Sequence, residues 1–342
     1  MALNRCAESL SEASVAVKKV LVLGKIHDSG IALLRDTGEI VVKELAEHSE
    51  DIFNELSDTD AIIVRMTKIT REIIEAAPHL KIVARHGVGY EAVDITALSE
   101  FGVPLTITGD VNSVAVSEHT LALMLSLAKQ TVVYDQAVRM GNFGIRDGFD
   151  STELSAKTIL LIGFGRIGKA TAVRAQGFGM RVMVADPFVS RQNVEAEGYN
   201  YVTDFRYALE EADYVCIHVP KRPETENLIS AEELKLMKES AYVINVSRGG
   251  IVNEAALFIA LNEGWIAGAA LDVFELEPPN LDNPLLKLKN IVVSPHCGAF
   301  TEECAQRMAM ACAQAVVSAF EGNFDPQLVV NKETLPDKSA RG

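Results

Sequence analysis

The chain has 342 residues, nearly half of them apolar and about a quarter charged, which is enough for two domains with full cores. Its formal net charge is −15, which argues against nucleic acid and anionic membrane as partners, since both need clustered Lys and Arg. Any anionic ligand has to be held by a local site.

The N-terminal stretch "MALNRCAESLSEASVAVKK" carries two glutamates and no long apolar core, so it does not read as a secretory signal. The first hundred residues then alternate short apolar runs with helix-like segments. Strands are predicted at 19–24, 40–45, 61–65 and 81–86, and helices at "HDSGIALLRD", "EHSEDIFNELS" and "TREIIEAAPHL". That alternation predicts a parallel sheet covered by helices. From Val111 to about Met140 there is no proline or glycine, and Leu121, Leu125, Ala128 and Val132 fall at helical spacing. One long connecting helix is expected there, followed by the loop "GNFGIRDGFDSTEL".

A second alternating block follows. Strands are predicted at 158–163, 181–186, 213–218, 242–247, 266–273 and 290–295, the pattern of a doubly wound fold. A last helix is expected at 301–323, packing back on the first block, and the tail "KETLPDKSARG" is expected to be disordered. The longest charge-free apolar stretch, "MAMACAQAVVSAF", is too short to span a bilayer. Cysteines at 6, 216, 297, 304 and 312 form no CxxC pair. They read as reduced thiols of a cytoplasmic protein, with neither a disulfide framework nor a metal site.

"LLIGFGRIGK" ends an apolar run and opens a helix-like stretch that leads to a second strand ending in Asp186. Gly163 permits the tight turn, Gly165 lets the backbone approach a diphosphate, and Gly168 lets helix and strand pack closely. The helix N-terminus adds free N–H groups. Asp186 stands 18 positions beyond Gly168, close to the ~20 expected of an acid that binds the adenosine ribose. Its charge repels a 2′-phosphate, so NAD is favoured over NADP, with Arg191 nearby tempering the preference.

In such a sheet ligands bind beyond the carboxyl ends of the strands. There the second block delivers Ser247 and Arg248, then Asp272, Glu275 and Glu277, then His296. An arginine, a carboxylate and a histidine suit hydride transfer. The histidine takes the hydroxyl proton of an alcohol, the acid orients its ring, and the arginine holds a substrate carboxylate.

With "LIGFGRIGK", "INVSRGGIVNEAAL", "GAALDVFELEP" and "SPHCGA", and "HVPKRPETENLI" between them, residues 18–325 resemble the D-isomer-specific 2-hydroxyacid dehydrogenases, which include 3-phosphoglycerate dehydrogenase. The resemblance implies an α/β protein of two doubly wound domains. A Rossmann NAD-binding domain would span 111–300, and a discontinuous flavodoxin-like substrate domain 1–110 plus 301–342. It implies that Arg248 binds the substrate carboxylate, that His296 is the acid/base and that Glu277 is its partner. It places Arg166, Ile167, Asp186, His218, Val219, Pro220, Thr225, Val246, Ser247, Asp272, His296 and Gly298 against the cofactor, beside the three glycines. It places the N–H groups of Gly87, Val88 and Gly89 on the substrate carboxylate, and Arg65 on a distal anionic group, with Lys68 assisting.

A homodimer or homotetramer acting on a small 2-hydroxy or 2-oxo acid is the implied state. No C-terminal extension resembles a serine-binding regulatory domain, so feedback by that route is not expected. Departures from the family pattern are Lys221 and Arg222 in "HVPKRPET", Glu91 and Ala92 in "GVGYEAVD", and "AVSEH" at 115–119. The alternative is an NAD(H)-sensing protein-binding module like the C-terminal-binding protein corepressors, which share the fold and the catalytic residues. A narrower alternative is a formate or phosphite oxidiser.

Overall fold

The computed structural model describes residues 17–335; Cys6, most of the N-terminal segment and the tail from Pro336 onward lie outside them. The chain divides into two compact units, one reaching up to Val111 and resuming at Glu302, the other running Asn112–Thr301.

The first unit is built from β1 (Lys18–Leu23), α1 (Asp28–Asp36), β2 (Ile40–Leu45), α2 (Ile52–Glu55), β3 (Ala61–Val64), α3 (Arg71–Glu75), β4 (Ile82–Arg85), α4 (Ile95–Glu100) and β5 (Leu105–Thr106). The strands are all parallel in the order β2-β1-β3-β4-β5, the flavodoxin-like winding. Every residue of β3 is buried, because helices cover both faces, and this is why its sequence is an unbroken apolar run. Leu21, Ile62 and Val83 pack on one face with Ile52 and Ile73. Val20, Ile63 and Ala84 pack on the other with Leu34 of α1 and with Cys312, Ala313 and Val316 of the C-terminal helix Glu302–Phe320. That helix lies so close to α1 that a Cβ on Gly30 would stand 2.7 Å from the Ala309 carbonyl oxygen.

The start of the polar tail is ordered, against expectation. Asn331 accepts the Leu105 N–H at 2.8 Å and donates to the Val103 carbonyl at 2.9 Å. Glu333 takes the Ser99 hydroxyl at 2.6 Å, and Lys332–Thr334 forms a 3₁₀ turn.

The second unit opens with α5 (Ser113–Ala128) and α6 (Thr131–Arg139). The single long helix expected here is interrupted at Gln130, whose φ is +53°. The Ala128 carbonyl is captured by the Thr152 N–H at 2.7 Å and that of Lys129 by the Ser151 hydroxyl at 3.2 Å. Three β-branched residues, Thr131 to Val133, follow the break and resist continuing the same turn.

Then come β6 (Thr158–Ile162), α7 (Arg166–Gly177), β7 (Arg181–Ala185), α8 (Arg191–Ala196), β8 (Asn200–Tyr201), β9 (Tyr214–Ile217), α9 (Ala231–Leu236), β10 (Tyr242–Asn245), α10 (Glu254–Glu263), β11 (Gly268–Leu271) and β12 (Ile291–Val293). The parallel order β12-β11-β10-β9-β6-β7-β8 is the Rossmann winding with one further strand. Along β6, Ile159 and Leu161 pack with Met124 of α5 and Ala172 of α7, while Leu160 and Ile162 pack with Leu234 of α9 and Leu257 of α10. The winding reverses between β6 and β9, which opens a crevice at their carboxyl ends. Among the described residues no helix is long and apolar enough to cross a membrane.

Candidate active site

The glycine loop joins β6 to α7 at that crevice. Gly163 has φ +100°, and a Cβ there would lie 2.5 Å from the His218 carbonyl oxygen after β9. A Cβ on Gly168 would run into the carbonyl oxygen of Gly163. Gly165 differs, because beyond its chain neighbours no protein atom lies within 4 Å of where its Cβ would be. Two glycines are therefore required by the protein itself. The third, at the N-cap of α7, keeps an opening against a helix N-terminus, as a diphosphate needs. Arg166 and Ile167 form the first turn of α7.

Asp186 follows β7, and its carboxylate accepts the N–H of Phe164 at 2.7 Å and of Phe188 at 2.8 Å. The acid is thereby tied to the glycine loop. His218 begins the segment after β9. Both its ring nitrogens are buried without a partner among the described residues, and burial pushes it down to about 4, so the ring is neutral. After Val219, the Thr225 hydroxyl donates to the Pro220 carbonyl at 2.7 Å and accepts the Arg222 N–H at 2.8 Å, closing a turn from Pro220 to Thr225.

Beyond β10 the chain runs through buried Val246 to Ser247, whose hydroxyl donates to the Ile217 carbonyl at 2.6 Å. Asn245, which the sequence reading did not single out, holds this loop from both sides. Its Oδ1 accepts the Ser247 N–H at 3.0 Å and its Nδ2 donates to the Arg248 carbonyl at 2.9 Å. Arg248 leaves the loop with one guanidinium nitrogen 2.7 Å from the Ser247 carbonyl oxygen.

The two acids after β11 separate into different roles. Glu275 accepts the Glu254 N–H at 2.9 Å and so caps α10. Glu277 turns to His296, with its Oε2 2.7 Å from Nδ1 of the ring, while its Oε1 accepts the Phe274 N–H at 3.0 Å. Burial alone would raise the Glu277 carboxyl. The hydrogen bond and charge of His296, the Phe274 N–H and the charge of Arg248 outweigh it and hold the group below the usual carboxylate range. Glu277 and His296 remain partly open to solvent, at 28% and 37% side-chain exposure.

Asp272, almost fully buried, has its carboxylate turned onto the loop that carries His296. It accepts the Ser294 hydroxyl at 2.6 Å and the N–H groups of Cys297 and Gly298, each at 2.9 Å, and stands 3.3 Å from Nε2 of His119. Burial opposes its ionisation, but the hydrogen bonds from His119, Ser294, Cys297 and Gly298 bring it down to about 2. Donor atoms of His119, Asp272 and Cys297 lie within 4.8 Å of one another, a combination able to ligate a metal, but the protein's own hydrogen-bond donors already engage both oxygens of Asp272. The part played by His119 and Ser294 was missed in the sequence. The only trace was the "SEH" triplet on α5.

Four expected residues belong to the first unit. Arg65 follows β3, with its Nε 3.3 Å from Glu47 and a guanidinium nitrogen 3.2 Å from the Lys25 carbonyl oxygen. Gly87 has φ +140° and its N–H is spent on the Arg85 carbonyl at 2.8 Å, so it is not available to a ligand as expected. The N–H groups of Val88 and Gly89 donate to no acceptor among the described residues.

A Rossmann unit with this glycine loop, a ribose-type acid and a Glu–His pair at its strand ends has the makings of a dinucleotide-dependent oxidoreductase site. The family model "D-isomer specific 2-hydroxyacid dehydrogenase, NAD binding domain" matches residues 121–298. The chain is 37% identical over 321 residues to a D-3-phosphoglycerate dehydrogenase of Methanocaldococcus jannaschii, covering 94% of this chain and 60% of that protein. It is 39% identical over 329 residues to a glyoxylate reductase of Thermofilum pendens, covering 94% of this chain and 96% of that protein. A crystal structure of a Thermus thermophilus protein is similar with a TM-score of 0.85 at 31% identity, covering 91% of this chain and 99% of that one. The chain belongs to the D-isomer specific 2-hydroxyacid dehydrogenase family. It spans 60% of the length of the phosphoglycerate dehydrogenase relative and nearly all of the glyoxylate reductase.

Proposed function

We propose that the protein is an NAD-dependent oxidoreductase that interconverts a small D-2-hydroxy acid, such as glycerate or 3-phosphoglycerate, and its 2-oxo acid. The observation that carries this reading is the 2.7 Å pairing of His296 Nδ1 with Glu277. The pairing leaves Nε2 of a half-exposed imidazole as the proton-handling atom. When bound, NAD supplies the hydride acceptor. Gly163, Gly165, Gly168, the first turn of α7 and Asp186 would hold it, and the opening above Gly165 fits a diphosphate.

The remaining chemistry belongs to the protein's side chains. Arg248 binds the substrate carboxylate, for which its forked donors are matched. His296 takes the hydroxyl proton at Nε2 in oxidation and returns it in reduction. Glu277, kept ionised, stabilises the imidazolium and fixes the ring. Val88 and Gly89 offer N–H groups of the kind a carboxylate accepts. Arg65, expected at a distal anionic group, is ion-paired to Glu47 at 3.3 Å within the first unit.

The four described cysteines are free thiols, in keeping with a cytoplasmic location. Val138, Met140, Phe143 and Phe149 are exposed apolar residues on and after α6, which supports assembly into a homodimer or homotetramer. Absorbance at the NADH band, followed over glyoxylate, hydroxypyruvate, phosphohydroxypyruvate and bulkier 2-oxo acids, tests the reading. Turnover of at least one small 2-oxo acid is expected. Tight NADH binding with no turnover on any of them would indicate a sensor instead.

A further inference from the structure

The loop carrying His296 is held by a single buried residue. The N–H of His296 donates to the Asp272 carbonyl at 2.7 Å, and the next two N–H groups, of Cys297 and Gly298, donate to the Asp272 carboxylate at 2.9 Å each. Three consecutive donors therefore end on Asp272. Together they hold His296 at φ +51°, a left-handed conformation that costs a non-glycine residue about 1–3 kcal/mol. Two side chains outside the expected site residues also hold Asp272.

That fixing comes from Ser294 and His119. The Ser294 hydroxyl lies 2.6 Å from Oδ1 of Asp272, and an ionised carboxylate only accepts, so the serine proton is spent there. Nε2 of His119 is 2.9 Å from the same hydroxyl oxygen and 3.3 Å from Oδ1. With the serine proton already committed, Nε2 has to be the donor. This assigns the His119 tautomer from the hydrogen-bond network. The ring also closes over Gly298. A Cβ there would stand 3.1 Å from Oδ2 of Asp272 and 3.4 Å from Cδ2 of His119. An imidazole on α5, 177 positions before the acid/base histidine, thus completes a chain His119–Ser294–Asp272–His296 inside one unit.

We propose that His119 is a positioning residue for the reaction: through Ser294 and Asp272 it holds the 294–298 loop so that His296 stays aligned between Glu277 and the substrate. The proposal rests on the dehydrogenase reading for its kinetic consequence. The structural consequence, an anchored loop, does not depend on that reading.

The test compares the wild type with His119→Leu, His119→Gln and Ser294→Ala, each as the full chain saturated with NADH. Leucine removes the donor, and glutamine returns an N–H near the position of Nε2. A misplacement on the scale of 1 Å costs about 100-fold in rate, so kcat of His119→Leu is expected to fall by roughly that factor with the NADH dissociation constant unchanged. His119→Gln should recover most of the loss. The double variant His119→Leu/Ser294→Ala should be no worse than the worse single, because both act through one network.

Hydrogen exchange at the amides of 296–298 provides a readout without turnover, and in His119→Leu it should speed up about tenfold or more. Ser294→Ala, a smaller change, carries both measurements if the leucine variant does not fold. Unchanged protection of 296–298, or a glutamine variant as slow as the leucine variant, overturns the proposal. If the wild type turns over none of the 2-oxo acids, the dehydrogenase reading fails, while the exchange data still decide whether His119 anchors the loop.

Discussion

Nδ1 of His296 lies 2.7 Å from one oxygen of Glu277, and the other oxygen of that carboxylate accepts the Phe274 N–H at 3.0 Å. The acid is thus fixed by its own backbone before it fixes the ring. Glu277→Gln keeps a polar group of the same shape and removes the charge that stabilises the imidazolium. Its kcat is expected to drop about 100-fold, with the NADH dissociation constant held. Stopped-flow absorbance with a 2-oxo acid checks this, and a rate close to wild type would mean that the pair is only structural.

The three loop glycines should respond differently to alanine. Gly163 has φ +100° and faces the His218 carbonyl oxygen, so Gly163→Ala strains the fold, by about 1–3 kcal/mol, and lowers the melting temperature. Gly165→Ala meets no protein atom within 4 Å beyond its chain neighbours and should melt like the wild type while binding NADH more weakly. Differential scanning fluorimetry paired with NADH fluorescence titration separates the two. Equal melting losses for both would show that the Gly165 opening is not reserved for a ligand.

Asp186 is held rigidly by two backbone N–H groups, so it cannot swing away from a 2′-phosphate. Asp186→Ala removes that negative charge. The ratio of kcat/KM with NADPH to that with NADH is expected to rise about tenfold or more. An unchanged ratio in parallel assays with the two cofactors would count against this role.

His86 is 4% exposed, and burial, followed by the charges of Arg85 and Arg65, pushes it down to about 4 from 6.5. The folded chain therefore keeps it neutral at pH values where the unfolded chain protonates it. Its contribution to stability is fully present above about pH 6.5 and is lost as pH falls from 6.5 towards 4, by about 3 kcal/mol at most. His86→Phe should flatten the fall in urea-unfolding free energy over that window. A variant whose stability falls as steeply as that of the wild type would show that His86 titrates normally.

The strands could be seen in the sequence because parallel strands covered on both faces are uninterrupted apolar runs, as "TILLI" at β6 and "YVCI" at β9 show. β5 and β8, two residues each, leave no such run. The break at Gln130 was hidden for a different reason. Nothing in the local sequence announces that Thr152 and Ser151 will capture the carbonyls of Ala128 and Lys129. At the site, Arg248, Glu277 and His296 stood out because each lies in the segment that follows a strand's carboxyl end. The resemblance chose Glu277 over Glu275, and the structure adds what Glu275 does instead, which is to cap α10 two positions away. His119 was hidden further still, because its partner Ser294 is 175 residues away and its position on α5 looks like ordinary helical spacing.

On the proposed reading, His296 moves the proton in a hydride-transfer reaction whose substrate is held by Arg248. The most direct measurement is steady-state NADH oxidation by His296→Ala on the best 2-oxo acid of the panel, alongside NADH binding by the same sample. A fall in kcat of about a thousandfold or more with NADH affinity intact is predicted. Turnover by His296→Ala at a rate like that of the wild type would exclude His296 as the acid/base.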